Sequence, residues 1–350
     1  MPDLVRGNYR LPCTVIVGGF FGDEGKGKIV SYLALKDRPH IATRGGVGTN
    51  AGHTVIYQKK LFKMRMLPSA FIYEKTRLLI GPGVLVNPSI FLEEVKITAT
   101  ESRAALDFQC AIIDEQHILR ERANQHLSKT VQTTGSGCGP CMEDHVKRVA
   151  KIARDAPELG GYLTDVSLEA NTAIDEGKLV LVEGTQGTFL SLYHGTYPYV
   201  TCKDVTASSI CADVGIGPTR VDDVIVIFKA YTTRVGGGLL TGELPEGEAN
   251  QRGWSEIATV THRRRRAAPF NFDLAKRAVI LNGATQAALT KLDVLYPECR
   301  GIKTIDKLSK PSLEFIKEIE EKIKTPVTLI GTGPTVTEII DLRNSHSSLF

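Results

Sequence analysis

The chain has 350 residues, 42% of them hydrophobic and 23% charged, a composition that excludes a disordered or collagen-like chain and leaves room for one or two domains. The net charge of +4 is too small to imply a nucleic-acid partner, and no apolar run approaches the ~20 residues of a membrane span. Seven scattered cysteines, and an N-terminus (Met1-Pro2-Asp3-Leu4-Val5-Arg6) without a basic flank and apolar core, predict a cytoplasmic protein in a reducing setting.

In chain order, Cys13 to Val17 reads as a buried strand running into a glycine-rich loop, and Lys28 to Leu35 as the helix after it. Arg77 to Ile80 reads as a strand, and Pro88 to Ala99 and Gln116 to Leu127 as helices. Leu168 to Glu176 is a helix feeding the strand Leu179 to Val182. The unbroken apolar run Val224 to Phe228 suits a central parallel strand. Leu313, Ile316, Ile319 and Ile323 mark an amphipathic helix over 313–324, and Val327 to Ile330 a last strand. This alternation predicts an α/β fold: a large, mostly parallel twisted sheet with helices on both faces and sites at strand C-termini. No Pro/Gly-rich linker divides the chain, so residues 1–350 are expected to form a single domain.

Three glycine clusters carry the chemistry. The first, Gly18-Gly19-Phe20-Phe21-Gly22-Asp23-Glu24-Gly25-Lys26-Gly27-Lys28, lies between a strand and a helix. Glycines there let backbone amides wrap an anion, the helix N-terminus adds partial positive charge, and Lys26 and Lys28 offer point charges for phosphate. Gly22-x4-Gly27-Lys28 fits most of a P-loop, but Ile29 stands where Ser or Thr should meet magnesium; Asp23 is the candidate metal ligand or base instead. In the second cluster, Gly45 to Thr54, His53 sits among small residues and is free to reach a ligand, although an isolated histidine is more often structural. The third, Thr133-Thr134-Gly135-Ser136-Gly137-Cys138-Gly139-Pro140, offers hydroxyls and amides to a second phosphate. Its Cys138-Gly139-Pro140-Cys141 looks like a dithiol motif, but a Thr/Gly/Ser loop precedes it where active dithiols follow a strand.

Taken together the motifs resemble adenylosuccinate synthetase, and they do so in order along nearly the whole chain. They include Gly22 to Lys28, Asn50-Ala51-Gly52-His53-Thr54, Thr133-Thr134-Gly135, Glu183-Gly184-Thr185-Gln186-Gly187 and His194 to Thr201. Lys229 to Gly236, Arg263 to Arg266, Thr290 to Leu295 and Gly331-Thr332-Gly333-Pro334 complete the series. The resemblance implies a GTP-dependent ligase that joins IMP and L-aspartate through a 6-phosphoryl intermediate. It implies Asp23 as base on N1 of IMP, His53 stabilising the transferring phosphoryl group, and Gln186 bonding the developing O6 anion. Asn50, Thr134, Arg148, Gln186, Thr201 and Arg265 match IMP-binding positions, with Arg148 donated across a homodimer interface. Gly22, Glu24, Gly25, Lys26, Gly27, Lys28, Gly52, His53, Thr54, Lys291, Asp293, Gly331, Gly333 and Pro334 match GTP-binding positions, with the Asp293 carboxylate suited to the N1–H and N2–H₂ donors of guanine. Thr261, Arg263 and Arg265 match the grip on aspartate. One Mg²⁺ is implied at the Asp23 carboxylate and the Gly52 carbonyl.

By pattern alone four consecutive arginines suggest a solvated or nucleic-acid-binding face, but the flanking Val260-Thr261 and Ala267-Ala268 do not extend the charge. The chain departs from the family pattern in shortened stretches between Arg148 and Glu183 and between Asp293 and Gly331, and in Thr259-Val260-Thr261-His262 before the arginines. A competing reading is a GTP-binding regulatory module without ligase activity, which has no need of a second substrate site; another is a dithiol oxidoreductase built on Cys138 and Cys141.

Overall fold

The computed structural model describes residues 12–258 and 262–344. Fourteen strands occur among them: β1 (Cys13–Gly18), β2 (Ile41–Arg44), β3 (His53–Tyr57), β4 (Lys60–Met64), β5 (Arg77–Ile80), β6 (Ala104–Asp107), β7 (Leu163–Thr164), β8 (Val180–Glu183), β9 (Asp223–Lys229), β10 (Thr232–Arg234), β11 (Arg266–Ala268), β12 (Gln286–Thr290), β13 (Val327–Gly331) and β14 (Ile339–Asp341). Ten form one sheet in the order β14-β13-β12-β9-β1-β8-β2-β5-β6-β7. Only β14 runs antiparallel to its neighbour. The chain starts at the middle of this sheet, builds outward through β2, β5, β6 and β7, returns to insert β8 beside β1, and then builds the other half from β9. The loop after β1 therefore sits where winding reverses, the place at which open α/β sheets bind ligands.

The predicted two-faced sheet is present, and its alternation is visible in single strands. Cys13, Val15 and Val17 pack with Val224, Val226 and Phe228 and with the helices Ala207–Val214, Phe272–Asn282 and Lys310–Ile323. Ile16, Ile225 and Ile227 point to the other face, against α1 (Lys26–Asp37) and α2 (Pro88–Thr98). Helix α1 buries Ile29, Val30, Leu33 and Ala34. It begins two residues earlier than the apolar pattern predicts, because Gly25 takes a left-handed conformation (φ 87°) and caps it there. Lys26 and Lys28 thus lie inside its first turn, both buried.

A second difference is at Gln116–Leu127, predicted as one helix. Helix α3 (Glu115–Ala123) stops at Asn124, which leaves the helical region, and an irregular helical turn follows at His126–Val131. The Asn124 carboxamide accepts from Leu127 N–H at 3.1 Å, so the side chain competes with the backbone ladder. Only His117 and Glu121 of α3 are buried, so little packing opposes that competition. Helix α4 (Cys138–Val146) opens at the first cysteine of the third cluster.

Two small pairs position side chains for the site. β3 and β4 form a hairpin whose turn residues Gln58 and Lys59 both have positive φ, the geometry of a two-residue turn, and His53 stands at its start. β10 pairs antiparallel with β11, Arg234 opposite Arg266, which holds the arginine run beside the end of β9.

Candidate active site

Glu24 is fully buried and closes the first glycine loop on itself: Oε1 accepts from the N–H groups of Phe20 (2.9 Å) and Gly22 (2.8 Å). Its other oxygen pairs with Lys26 Nζ at 3.0 Å, and that ammonium also donates to the Gln186 carbonyl. A Cβ on Gly19 would lie 2.2 Å from the Phe228 ring, so only glycine lets the loop pass there. Lys28 Nζ donates to the carbonyls of Gly333 (2.5 Å) and Glu338 (2.8 Å). Burial lowers its pKa to about 8, against the opposing pull of Asp293 and Glu338. In this structure both lysines, expected as point charges for phosphate, bond inward, one to the loop after β8 and one to the turn after β13.

Asp23 lies beside the end of β9. Lys229 Nζ (3.3 Å), Thr233 Oγ1 and an Arg265 guanidinium nitrogen all meet its Oδ2. Burial works to raise this carboxyl, but Lys229, Arg265 and Thr233 outweigh it and hold the group well below the usual range. Lys229 also donates to Glu256 at 2.8 Å; Glu256 in turn accepts from the Tyr231 hydroxyl at 2.8 Å and meets Lys291 at 3.2 Å. Arg265 Nε is buried without a hydrogen-bond partner, 3.9 Å from Glu256. Two carboxylates are shared here among three cations, and one arginine edge has no hydrogen-bond partner.

His53 is 3% exposed, and its Nδ1 contacts Glu183 and lies 2.9 Å from Arg44. Burial and then Arg44 lower its pKa to about 4, against Glu183. Glu183 and Arg44 thus meet the same ring nitrogen, Nδ1, on one edge of the imidazole.

A cavity of about 420 Å³ opens beside these groups. One wall is a chain of neutral side chains: Gln186 Nε2 donates to Asn50 Oδ1 (2.9 Å), and Asn50 Nδ2 to Thr201 Oγ1 (3.0 Å). Gly22, Gly52, Thr134, Arg263 and Arg265 also line it. The glycine loop packs directly on Gln186, whose Cα would be 3.1 Å from a Cβ on Gly22. Of the residues expected at IMP, Asn50, Thr134, Gln186, Thr201 and Arg265 come together here, with Asp23 behind Arg265.

The guanine-side candidates, Thr54 and Arg148 are not among the residues that line this cavity. Gly331 ends β13, and Gly333 and Pro334 follow it, the Gly333 carbonyl bonded to Lys28. Asp293 has a buried Oδ1 without a hydrogen-bond partner. Thr54 is exposed on β3. Arg148 is exposed after α4, and its guanidinium donates to the Val146 carbonyl at 2.8 Å. Thr261 lies outside the described residues. Cys138 and Cys141 are buried, and burial pushes both thiols up, Cys141 to about 12, the opposite of a dithiol catalyst. An oxygen-only donor pair such as the Asp23 carboxylate and Gly52 carbonyl fits Mg²⁺, which takes one or two carboxylates and fills its shell with water and substrate phosphates. Among the described residues no group of three or more His, Cys, Asp or Glu side chains could hold a metal ion.

Residue-by-residue reading of the sequence gave no role to Glu256, Glu183 or Arg44. The signal was there: Arg44 and Glu183 end the otherwise uncharged strands β2 and β8, where a charge needs a partner.

The fold and cavity place the protein among α/β enzymes that bind ligands beyond the carboxyl ends of their central strands. The family model for adenylosuccinate synthetase matches residues 15–158 and 147–298. An adenylosuccinate synthetase of Archaeoglobus fulgidus is 54% identical over 94% of this chain and 98% of its own, and one of Pyrococcus horikoshii is 54% identical over 96% and 100%. The fully ligated adenylosuccinate synthetase structure of Plasmodium falciparum superposes with a TM-score of 0.87 at 23% identity, over 94% of this chain and 99% of that one. A cyanophage S-2L succinoaminodeoxyadenylate synthetase, bound to dGMP and dATP, superposes at 0.79 and 25% identity, over 94% and 95%. The chain belongs to the adenylosuccinate synthetase family and is a ligase of purine biosynthesis. Its short form is shared with these archaeal relatives, which it spans almost end to end.

Proposed function

We propose the following residue roles in the GTP-dependent joining of IMP and L-aspartate that membership of this family carries. Asp23 takes the N1 proton of IMP, O6 attacks the γ-phosphorus of GTP, the bond to the β,γ-bridging oxygen breaks, and GDP leaves. The aspartate amine then attacks C6 of 6-phosphoryl-IMP, and phosphate departs with the C6–O6 electron pair as the amine loses its proton. Gln186 bonds the O6 anion, and His53 Nε2 faces the transferring phosphoryl group. Asn50, Thr134 and Thr201 hold IMP; Arg263, Arg265 and Thr261 hold aspartate; Asp293, Lys291 and the 331–334 turn hold guanine. Mg²⁺ on the Asp23 and Gly52 oxygens would neutralise charge between the β- and γ-phosphates.

A carboxylate held as far down as Asp23 is a weak base. In this reading Arg265 leaves Asp23 for a substrate carboxylate as aspartate arrives, which removes one of the two cations that lower the base's proton affinity. The single catalytic unit is cytoplasmic and a homodimer, with Arg148 reaching the partner's IMP. The exposed Val146 (56%) and Val149 (70%) beside Arg148 support an interface there.

The observation that carries this reading is the Gln186–Asn50–Thr201 chain on the wall of a cavity that the glycine loop and Arg265 share. Purified protein with IMP, L-aspartate, GTP and Mg²⁺ is expected to form adenylosuccinate, followed by purine absorbance, and to stop when any one is withheld. Binding of IMP and GTP without product would sink the reading.

A further inference from the structure

Glu183 closes β8 with its carboxylate fully buried. Oε1 accepts from Ser69 Oγ (2.7 Å) and contacts His53 Nδ1; Oε2 accepts from Ser69 N–H (2.6 Å). Arg44 is its register partner on β2, and NH1 stands 3.6 Å from Oε1. Arg44 is itself fixed through the carbonyls of Arg65 (3.1 Å) and Leu67 (3.5 Å). Ser69, Arg44 and His53 are all at most 3% exposed, so the group is a rigid interior cluster. Burial works to raise the Glu183 carboxyl, but His53, Arg44 and Ser69 outweigh it and bring it to about 2.

The other edge of the imidazole is the opposite case. His53 Nε2 is buried and has no hydrogen-bond partner among the described residues. A polar atom left alone in the interior is costly unless it meets a ligand. The torsion that turns a histidine ring is broad, so the ring alone does not select which nitrogen is paired inside the cluster and which is left unpaired. The anionic acceptor at Nδ1 does, as second partners of functional histidines commonly do.

We infer that Glu183, itself held by Ser69 and Arg44, is the positioning residue that fixes the His53 ring and aims Nε2 at the phosphoryl group in transfer. This rests on the reading of His53 given above. The alternative is a purely structural Glu183 that neutralises Arg44.

Steady-state kinetics of Glu183→Gln, His53→Ala and the double variant separate the two. Rates are to be normalised to the nucleotide-binding fraction of each preparation. Glu183→Gln should lower kcat about 10- to 100-fold with the three KM values within about 3-fold of wild type. In the His53→Ala background the same change should cost less than about 2-fold, because its effect passes through the ring. Ser69→Ala, which removes one bond to Glu183 and leaves its charge, should lower kcat several-fold and also fall silent without His53; it carries the test should Glu183→Gln not fold. If Glu183→Gln, or Ser69→Ala in its place, slows the His53→Ala enzyme by the same factor as the wild type, Glu183 is structural and the inference is wrong. If His53→Ala itself keeps wild-type kcat, the phosphoryl reading of His53 falls and the inference falls with it.

Discussion

The two sides of the site are built on different physics. The purine wall is made of neutral amides and hydroxyls, Gln186, Asn50 and Thr201, bonded in a row and open to a cavity. The side behind it is made of buried ions: Asp23 with Lys229 and Arg265, Glu256 with Lys229 and Lys291, Glu183 with Arg44. Neutral groups can wait in water with their geometry set, at little cost, and give up weak bonds to a ligand. Buried charges cannot wait alone, so they pair with one another, and a charged substrate has to exchange partners with them. The first arrangement supplies affinity and the second supplies chemistry.

The comparison breaks most directly at Asp23. Asp23→Asn is expected to cut turnover at least about 1,000-fold, while equilibrium binding of IMP stays within about 10-fold; comparable losses in both would merge the two sides. Next in size, His53→Ala should lower kcat about 100- to 1,000-fold with little change in the KM for IMP. On the neutral wall the order reverses. Asn50→Ala should raise the KM for IMP about 10-fold, roughly 1.4 kcal/mol for two lost bonds, with kcat within about 3-fold. A kcat loss as large as that of His53→Ala would show that the wall acts on the transition state.

A smaller effect sharpens the electrostatic half. Asp213, paired with Lys203 and the Gly46 N–H, is moved by burial to about 6, which its single lysine does not offset. Asp23 has two cations and a hydroxyl at one oxygen and moves the other way. Because the folded pKa of Asp213 is raised, the native state binds the extra proton between about pH 4 and 6. Its contribution favours folding below about pH 4 and is lost as pH rises to about 6, by at most roughly 2–3 kcal/mol. Denaturant unfolding should show wild type losing stability relative to Asp213→Asn across that window; a constant difference would refute the assignment. Smallest of all, Cys138→Ser with Cys141→Ser should keep ligase activity within about 2-fold, since these thiols are packing groups.

Much of the fold was legible because it follows from local periodicity. The Val224 to Phe228 run had to be a doubly covered strand, and Ile316, Ile319 and Ile323 had to face a core. The first helix was misplaced by two residues because its start depends on the left-handed Gly25, not on hydrophobic spacing. The predicted helix past Ala123 fails because it had no apolar face to bury.

The motif residues, their order and the family they belong to are written in the chain. Which of them touch is not, because contacts between residues 136 and 151 positions apart, such as Asn50 with Gln186 and Thr201, are set by how the sheet winds out and back. The same winding lays the ends of β2 and β8 side by side and joins Arg44 to Glu183. It also turns Lys26 and Lys28 inward, where Lys26 meets a carboxylate and a carbonyl and Lys28 meets two carbonyls. Residue type determines what a side chain can do; only burial and its neighbours decide whether it is already occupied.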